Sequence, residues 1–155
     1  MSLVLGGGAV TSPGEAAYLA GYDAAGNYLW HKTYGGSSAG MPIDQGNAVK
    51  IDAGGNLVFT GLKGTPWNVG GSWAFPNGLV VMSYTISGNS PPTSRWIKLP
   101  GAGSTGGSIG NAVALDSLGH VLSAGAIIYG SVNFGSTSAT TASGTWSGFV
   151  SQFSN

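Results

Sequence analysis

A thirteen-residue phrase occurs twice in this chain. Gly46-Asn47-Ala48-Val49-Lys50-Ile51-Asp52-Ala53-Gly54-Gly55-Asn56-Leu57-Val58 returns as Gly110-Asn111-Ala112-Val113-Ala114-Leu115-Asp116-Ser117-Leu118-Gly119-His120-Val121-Leu122. The step from position 46 to position 110 sets a period of 64 residues. A repeat of roughly this length, made of short strands, restricts the fold to a stacked or radial β architecture in which neighbouring units cover one another. Function then belongs to the loops that one face presents rather than to a catalytic pocket.

Helix signals are nearly absent, because Gly and Pro interrupt every window and apolar residues follow period 2 or short runs. Strands are expected at 2–6, 18–23, 28–33, 46–52, 56–61, 79–85, 95–99, 110–116, 120–125 and 148–153. They sort into four recurring types. The first is Gly-Asn-Ala-Val-x-Ile/Leu-Asp. The second is the apolar run Leu57 to Gly61, matched by Val121 to Gly125 and, on this reading, by Leu3 to Gly7. The third is Val80 to Tyr84, matched by Tyr18 to Tyr22 and Phe149 to Phe153; the fourth carries Trp30-His31-Lys32 or Trp96-Ile97-Lys98.

Four types per period make one four-stranded antiparallel sheet, which is one blade of a β-propeller. The expected fold is therefore all-β, with about three blade-equivalents of three, four and three strands. A partial blade covers 1–34, a full blade 46–99 and a partial blade 110–155, all within a single repeat region, 1–155. Fewer than three full blades cannot close a ring of the usual four to eight. The expectation is a segment of a larger propeller or a homo-oligomer. The turns agree: Asp52 to Asn56, Asp116 to His120 and Asp23 to Asn27 offer Gly for positive φ and Asp for local bonds, and Ser87-Gly88-Asn89 begins a longer equivalent link.

Composition narrows the function classes. Five basic and five acidic side chains cancel, so no net field steers nucleic acid. Charged residues are only 6% of the chain, yet 42% hydrophobic content argues for packing over disorder. The absence of cysteine removes disulfides and thiolate chemistry. No apolar run approaches the ~20 residues of a membrane span. Met1 to Leu5 is too short for a signal peptide, so the signal of a secreted parent would lie outside this chain.

The chain resembles the SBBP-type β-propeller repeats of bacterial surface and secreted proteins. The resemblance is carried by Trp96 to Leu99, Gly110 to Val121, Val132-Asn133-Phe134-Gly135 and Gly148 to Phe153, and in the earlier copy by Trp30, Gly46 to Gly61, Asn68-Val69-Gly70 and Val80 to Tyr84. It departs from the family at Ser147-Gly148, where an acidic residue is usual, and at His120, where Asn is usual. The resemblance implies propeller architecture and an extracellular or bacterial cell-surface location. It implies no catalytic residues.

The carboxylates are Glu15, Asp23, Asp44, Asp52 and Asp116, and three of these sit in repeated turns, where each is expected to cap its own backbone. Calcium needs several converging oxygens, and one Asp per turn is too poor a set. His31 and His120 lack the further ligands zinc takes. No nucleophile elbow exists, and Gly6-Gly7-Gly8 is followed by no helix or P-loop lysine. No cofactor and no metal are expected, and the chain is read as non-enzymatic. Trp30 with Trp96, and Tyr22 with Tyr84 and Phe153, are equivalent positions expected to pack between units.

The tight turns must lie on one face, leaving 34–45, 62–78, 100–109 and 126–147 on the other. The two longest hold Trp67, Trp73, Phe75, Tyr129, Phe134 and Trp146. Aromatic rings beside Asn and Ser suit carbohydrate or peptide recognition. The candidate ligand-binding residues are Trp67, Trp73, Tyr129, Trp146 and Asp44. The expected function is a binding or adhesion module for a carbohydrate or protein. The alternative is a structural, self-assembling segment of a larger propeller, with the rest of that chain or further copies as partner.

Overall fold

The computed structural model describes residues 2–12, 14–35, 44–64, 78–100 and 106–154, with the backbone alone at 67–69 and 72–74. Among the described residues it is all-β, with fifteen strands and no helix. β1 (Ser2–Val4) and β2 (Ala9–Thr11) form a short hairpin, and β3 (Ala16–Tyr22) pairs with β4 (Tyr28–Gly35). β5 (Gln45–Ile51) and β6 (Asn56–Lys63) follow, then a hairpin of β7 (Trp67–Val69) and β8 (Ser72–Ala74), then β9 (Gly78–Ser87) and β10 (Ser90–Lys98). The last unit comprises β11 (Gly107–Leu115), β12 (Val121–Tyr129), a hairpin of β13 (Ser131–Asn133) and β14 (Ser138–Thr140), and β15 (Ser147–Phe153). The middle sheet runs β10-β9-β6-β5 and the third β11-β12-β15, with every neighbouring pair antiparallel.

The repeated turn has one cause written three times. Asp52 Oδ1 accepts the Asn56 N–H at 2.7 Å, and Asn56 Nδ2 donates to Asp52 Oδ2 at 3.0 Å. Gly55 supplies φ +78° and donates its N–H to Asp52 O at 3.0 Å. Asp23 and Asn27 repeat this around Gly26 at +83°, and Asp116 and His120 around Gly119 at +81°. A side chain other than Gly resists that left-handed backbone. The link from Ser87 is shorter than expected. Ser90 pairs directly with Ser87, so β10 begins at 90 and carries Pro91 and Pro92 along the sheet edge, where a missing N–H is tolerated.

The paired glycines of the repeat mark a bulge. Gly46 faces Gly61, Gly110 faces Gly125, and the register slips immediately afterwards in both ladders. A Cβ on Gly61 would fall onto the Gln45 carbonyl oxygen, and one on Gly125 onto that of Ile109. The approach of backbone to backbone therefore requires glycine there.

Three sheets stack, and the middle one is covered on both sides. Leu57, Phe59, Val80, Met82 and Tyr84 face Ala17, Leu19, Trp30 and Tyr34 of the first sheet. The opposite side, Val58, Leu79 and Val81, packs against Val113 and Val121 of the third. That is why residues 78–84 are buried without alternation. Within the first interface, Tyr34 donates to Tyr84 Oη at 2.6 Å, and Tyr84 donates to Met82 Sδ at 3.3 Å. Burial pushes the Tyr34 phenol well above its ordinary value, with Tyr84 adding to it, and pushes Tyr84 up to about 12 against the opposing bond from Tyr34. Across the second interface, Asn47 Nδ2 donates to Gly110 O at 2.8 Å, and Leu79 N donates to Ser108 Oγ at 3.2 Å. Trp30 is buried and Trp96 packs on the second cluster, where its Nε1 is buried without a partner among the described residues.

The first unit departs from the expected three strands. Residues 2–4 do not add to β3; they pair with 9–11, so the sheets have two, four and three strands. The glycine run is the reason: Gly6 at φ +93° and Gly8 at +111° turn the chain back before a long strand can form. This hairpin matches β13–β14. Leu3 faces Val10 as Val132 faces Ala139, and Gly6 takes the place of Gly135 at φ +98°. The stretches expected as loops at 62–78 and 126–147 each hold such a hairpin, and β6 and β12 run on to Lys63 and Tyr129. Phe134 anchors the third hairpin on Phe149 at 5.0 Å between ring centroids.

Candidate functional site

Tyr129 and Trp146 both lie toward one end of the third sheet. The last pair of the β12–β15 ladder is Ile127 with Ser147. Trp146 lies one position before it and Tyr129 two positions after, so antiparallel pairing carries both to the same end. They are 58% and 71% exposed. The Tyr129 ring lies against Gly107, where an added Cβ would meet it at 2.7 Å.

The loop presenting Trp146 is tied by hydroxyls. Thr141 is buried; its Oγ1 lies 3.0 Å from Thr145 Oγ1 and 2.8 Å from Ser147 Oγ, and donates to Thr145 O at 3.2 Å. Thr145 Oγ1 donates to Ala142 O at 2.8 Å, and Gly144 turns the chain at φ +75°. Trp146, 71% exposed, thus sits between two residues whose hydroxyls are tied down onto Thr141.

The side chains of Trp67 and Trp73, and all of Phe75, lie outside the described residues. Asp44 does not join the aromatic pair. It is 3% exposed, and its Oδ1 accepts the Gly64 N–H at 2.8 Å. Its neighbour in charge is Lys63, which is wholly buried. Burial pulls the Lys63 ammonium below the ordinary lysine value, and the Asp44 charge works against that pull. The corresponding positions of the third sheet hold Ser108 and Ile127. Sequence reasoning missed Lys63, although a lysine where the other copy has isoleucine was a visible signal. It also missed the Thr141 cluster, which no motif announces.

Asp23, Asp52, Asp116 and His120 serve turns. His120 Nδ1 lies 2.6 Å from Asp116 Oδ2, a carboxylate–imidazole contact that stands in the place of Asn56 on Asp52. The side-chain bond from His120, helped by the backbone bonds of the turn, holds the Asp116 carboxyl below the ordinary value against the desolvation that raises it. Asn27 does the same for Asp23. At Asp52 burial pushes up, but the bonds from Asn56 and Gly54 and the Arg95 charge at 3.6 Å outweigh it together. His31 is held by the Tyr28 hydroxyl at 2.6 Å. Among the described residues no three His, Asp or Glu come together as a metal site, and no helix is long and apolar enough to cross a membrane.

Compared with known proteins, the chain matches no protein-family model and no curated sequence. The resemblance to SBBP-type repeats therefore rests on the motifs themselves.

Proposed function

We propose that this chain is a non-enzymatic binding module: a segment of a β-propeller of the SBBP kind, on the outside of a bacterial cell, that recognises carbohydrate through Tyr129 and Trp146. Its sheets are the blades of that propeller. The observation behind the ligand class is that two aromatic residues near one sheet end, Tyr129 and Trp146, are exposed, with the hydroxyl-bearing Thr145 and Ser147 flanking Trp146 in the chain. A sugar ring offers C–H faces to an aromatic plane and hydroxyls to neighbouring polar groups, so the combination suits it. The full chain should retain at least one class of glycan on an array of immobilised sugars. Trp146→Ala and Tyr129→Ala should each weaken retention about tenfold, equivalent to roughly 1.4 kcal/mol, with the circular dichroism unchanged. No retention, or retention indifferent to both substitutions, would end this reading.

A structural role without a small ligand is the second reading. It is favoured by the apolar surface that β5 leaves uncovered, where Val49 and Ile51 are 48% and 54% exposed.

A further inference from the structure

The first sheet is half the size of the one behind it. β3 and β4 correspond to β9 and β10, since Trp30 faces Gly21 as Trp96 faces Ser83. β9 pairs with β6 on its other side, whereas β3 has no second strand partner among the described residues. β5 registers the difference. On β11, Val113 is 5% exposed and Leu115 packs on the same cluster, because the middle sheet covers them. The matching Val49 and Ile51 on β5 are about half exposed, because the first sheet has no counterpart of β5 and β6 to cover them.

Two open depressions follow this edge. One of about 550 Å³ is lined by Tyr18, Leu19, Gly46 and Asn47, and one of about 450 Å³ by Leu19, Val49, Ile51 and Leu57. A polar link is also one short. Gly110 O accepts from Asn47 of the preceding sheet at 2.8 Å, whereas Gly46, its counterpart, receives no such bond among the described residues.

We propose that the free edge of β3, with Val49 and Ile51, is a docking site for a β-hairpin of the chain's own repeat pattern. The hairpin is Gly-Asn-Ala-Val-x-Ile/Leu-Asp, the Asp turn, and the apolar run. Its second strand pairs along β3, its apolar side covers Val49 and Ile51, and its Asn donates to Gly46 O. An unpaired edge supplies the backbone groups, and alternating apolar positions supply specificity. A second copy of the chain is not the supplier. Both of its hairpins of this pattern are already built in, β5–β6 against β9 and β11–β12 against β15. The occupant is a further repeat. This inference rests on the equivalence of the sheets and is independent of the carbohydrate reading.

The test places a copy of residues 106–130 directly ahead of Ser2, in place of Met1. Gly130 precedes Ser131, and Ser2 matches Ser131 at the start of the equivalent hairpin, so no linker is needed. The extended chain should gain about 5 °C or more in Tm, and amides 16–22 of β3 should exchange more slowly. The same extension with Leu122→Asp in the added copy should lose the gain, because Leu122 matches Val58, which packs against Val113. An unchanged Tm with unchanged exchange would overturn the proposal. If the extended chain does not fold, a peptide of residues 106–130 added to the original chain decides: slower exchange along β3 supports the site, and none refutes it. A concentration series in which the original chain forms a closed oligomer that already protects β3 would overturn the choice of occupant.

Discussion

β5 and β11 share their wording and differ in their surroundings. Each begins near a bulged glycine pair, each carries an Asn, and each ends in an Asp turn. β11 lies across the middle sheet and buries its Val. β5 meets the first sheet mainly at β3 and leaves its Val half exposed. The difference teaches that the motif codes for a strand with a face to cover. Whether that face is covered depends on the unit in front of it, which is the defining property of a repeat fold.

The comparison can be broken hardest at its polar end, where the middle sheet has Asp44 just before β5 and Lys63 at the end of β6, and the third sheet has Ser108 and Ile127. Asp44→Ala removes the acceptor of the Gly64 N–H and a negative charge that favours the Lys63 ammonium, and should cost about 3 kcal/mol in urea denaturation. Asp44→Ser combined with Lys63→Ile, which copies the third sheet, should return to within about 1 kcal/mol of the original. A double variant as unstable as the single one would mean that this pair is not electrostatically coupled.

The apolar difference is next. Val113→Ala should cost about 2 kcal/mol and Val49→Ala under about 0.5 kcal/mol, measured by the same transition. Equal losses would show that Val49 is covered in solution. A smaller gap separates the asparagines. Asn47→Ala removes the bond to Gly110 O and should cost about 1 kcal/mol, while the exposed Asn111→Ala should be close to neutral.

The smallest effect is in acid. The folded Asp23, Asp52 and Asp116 carboxyls lie below the ordinary value of 3.8. Their contribution is complete above that value and is lost as pH falls through the lower folded values. Asp116→Asn should therefore make the acid limb of the stability profile shallower below about pH 4 and leave its slope at neutral pH unchanged. An acid limb as steep as the original would remove Asp116 from the account.

What could be read in advance was whatever is written locally or repeated. The Asp turns are complete within five residues, so their geometry was legible. The order of the middle sheet followed from four strand types with a Trp type outermost. The first unit was misjudged because Leu3-Val4-Leu5-Gly6-Gly7 resembles the apolar run, and composition does not reveal that Gly6 takes a positive φ and turns back to pair with 9–11. The short hairpins escaped because three-residue strands leave too little alternation to register. In the candidate site, Tyr129 and Trp146 were legible as aromatics on long connections, with Tyr129 and Trp73 the least repeated of them. That both Tyr129 and Trp146 fall toward one sheet end depends on the β12–β15 register, which no local signal sets. Asp44 looked available because its acceptor role toward Gly64 spans twenty positions.

The same contrast of short and long range sets an order in time. Each Asp turn closes a hairpin from information within five residues, and hairpins close in about 1–10 μs. The bond from Asn47 to Gly110 O joins positions 63 apart, and so does the contact of Thr60 with Ser123. Contacts that distant must wait for loops to close, and they slow folding in proportion to their share of the structure. The turns therefore preassemble hairpins whose apolar faces stay wet until a neighbouring sheet arrives. A chain making such repeats one after another exposes its newest face for the whole interval between one unit and the next.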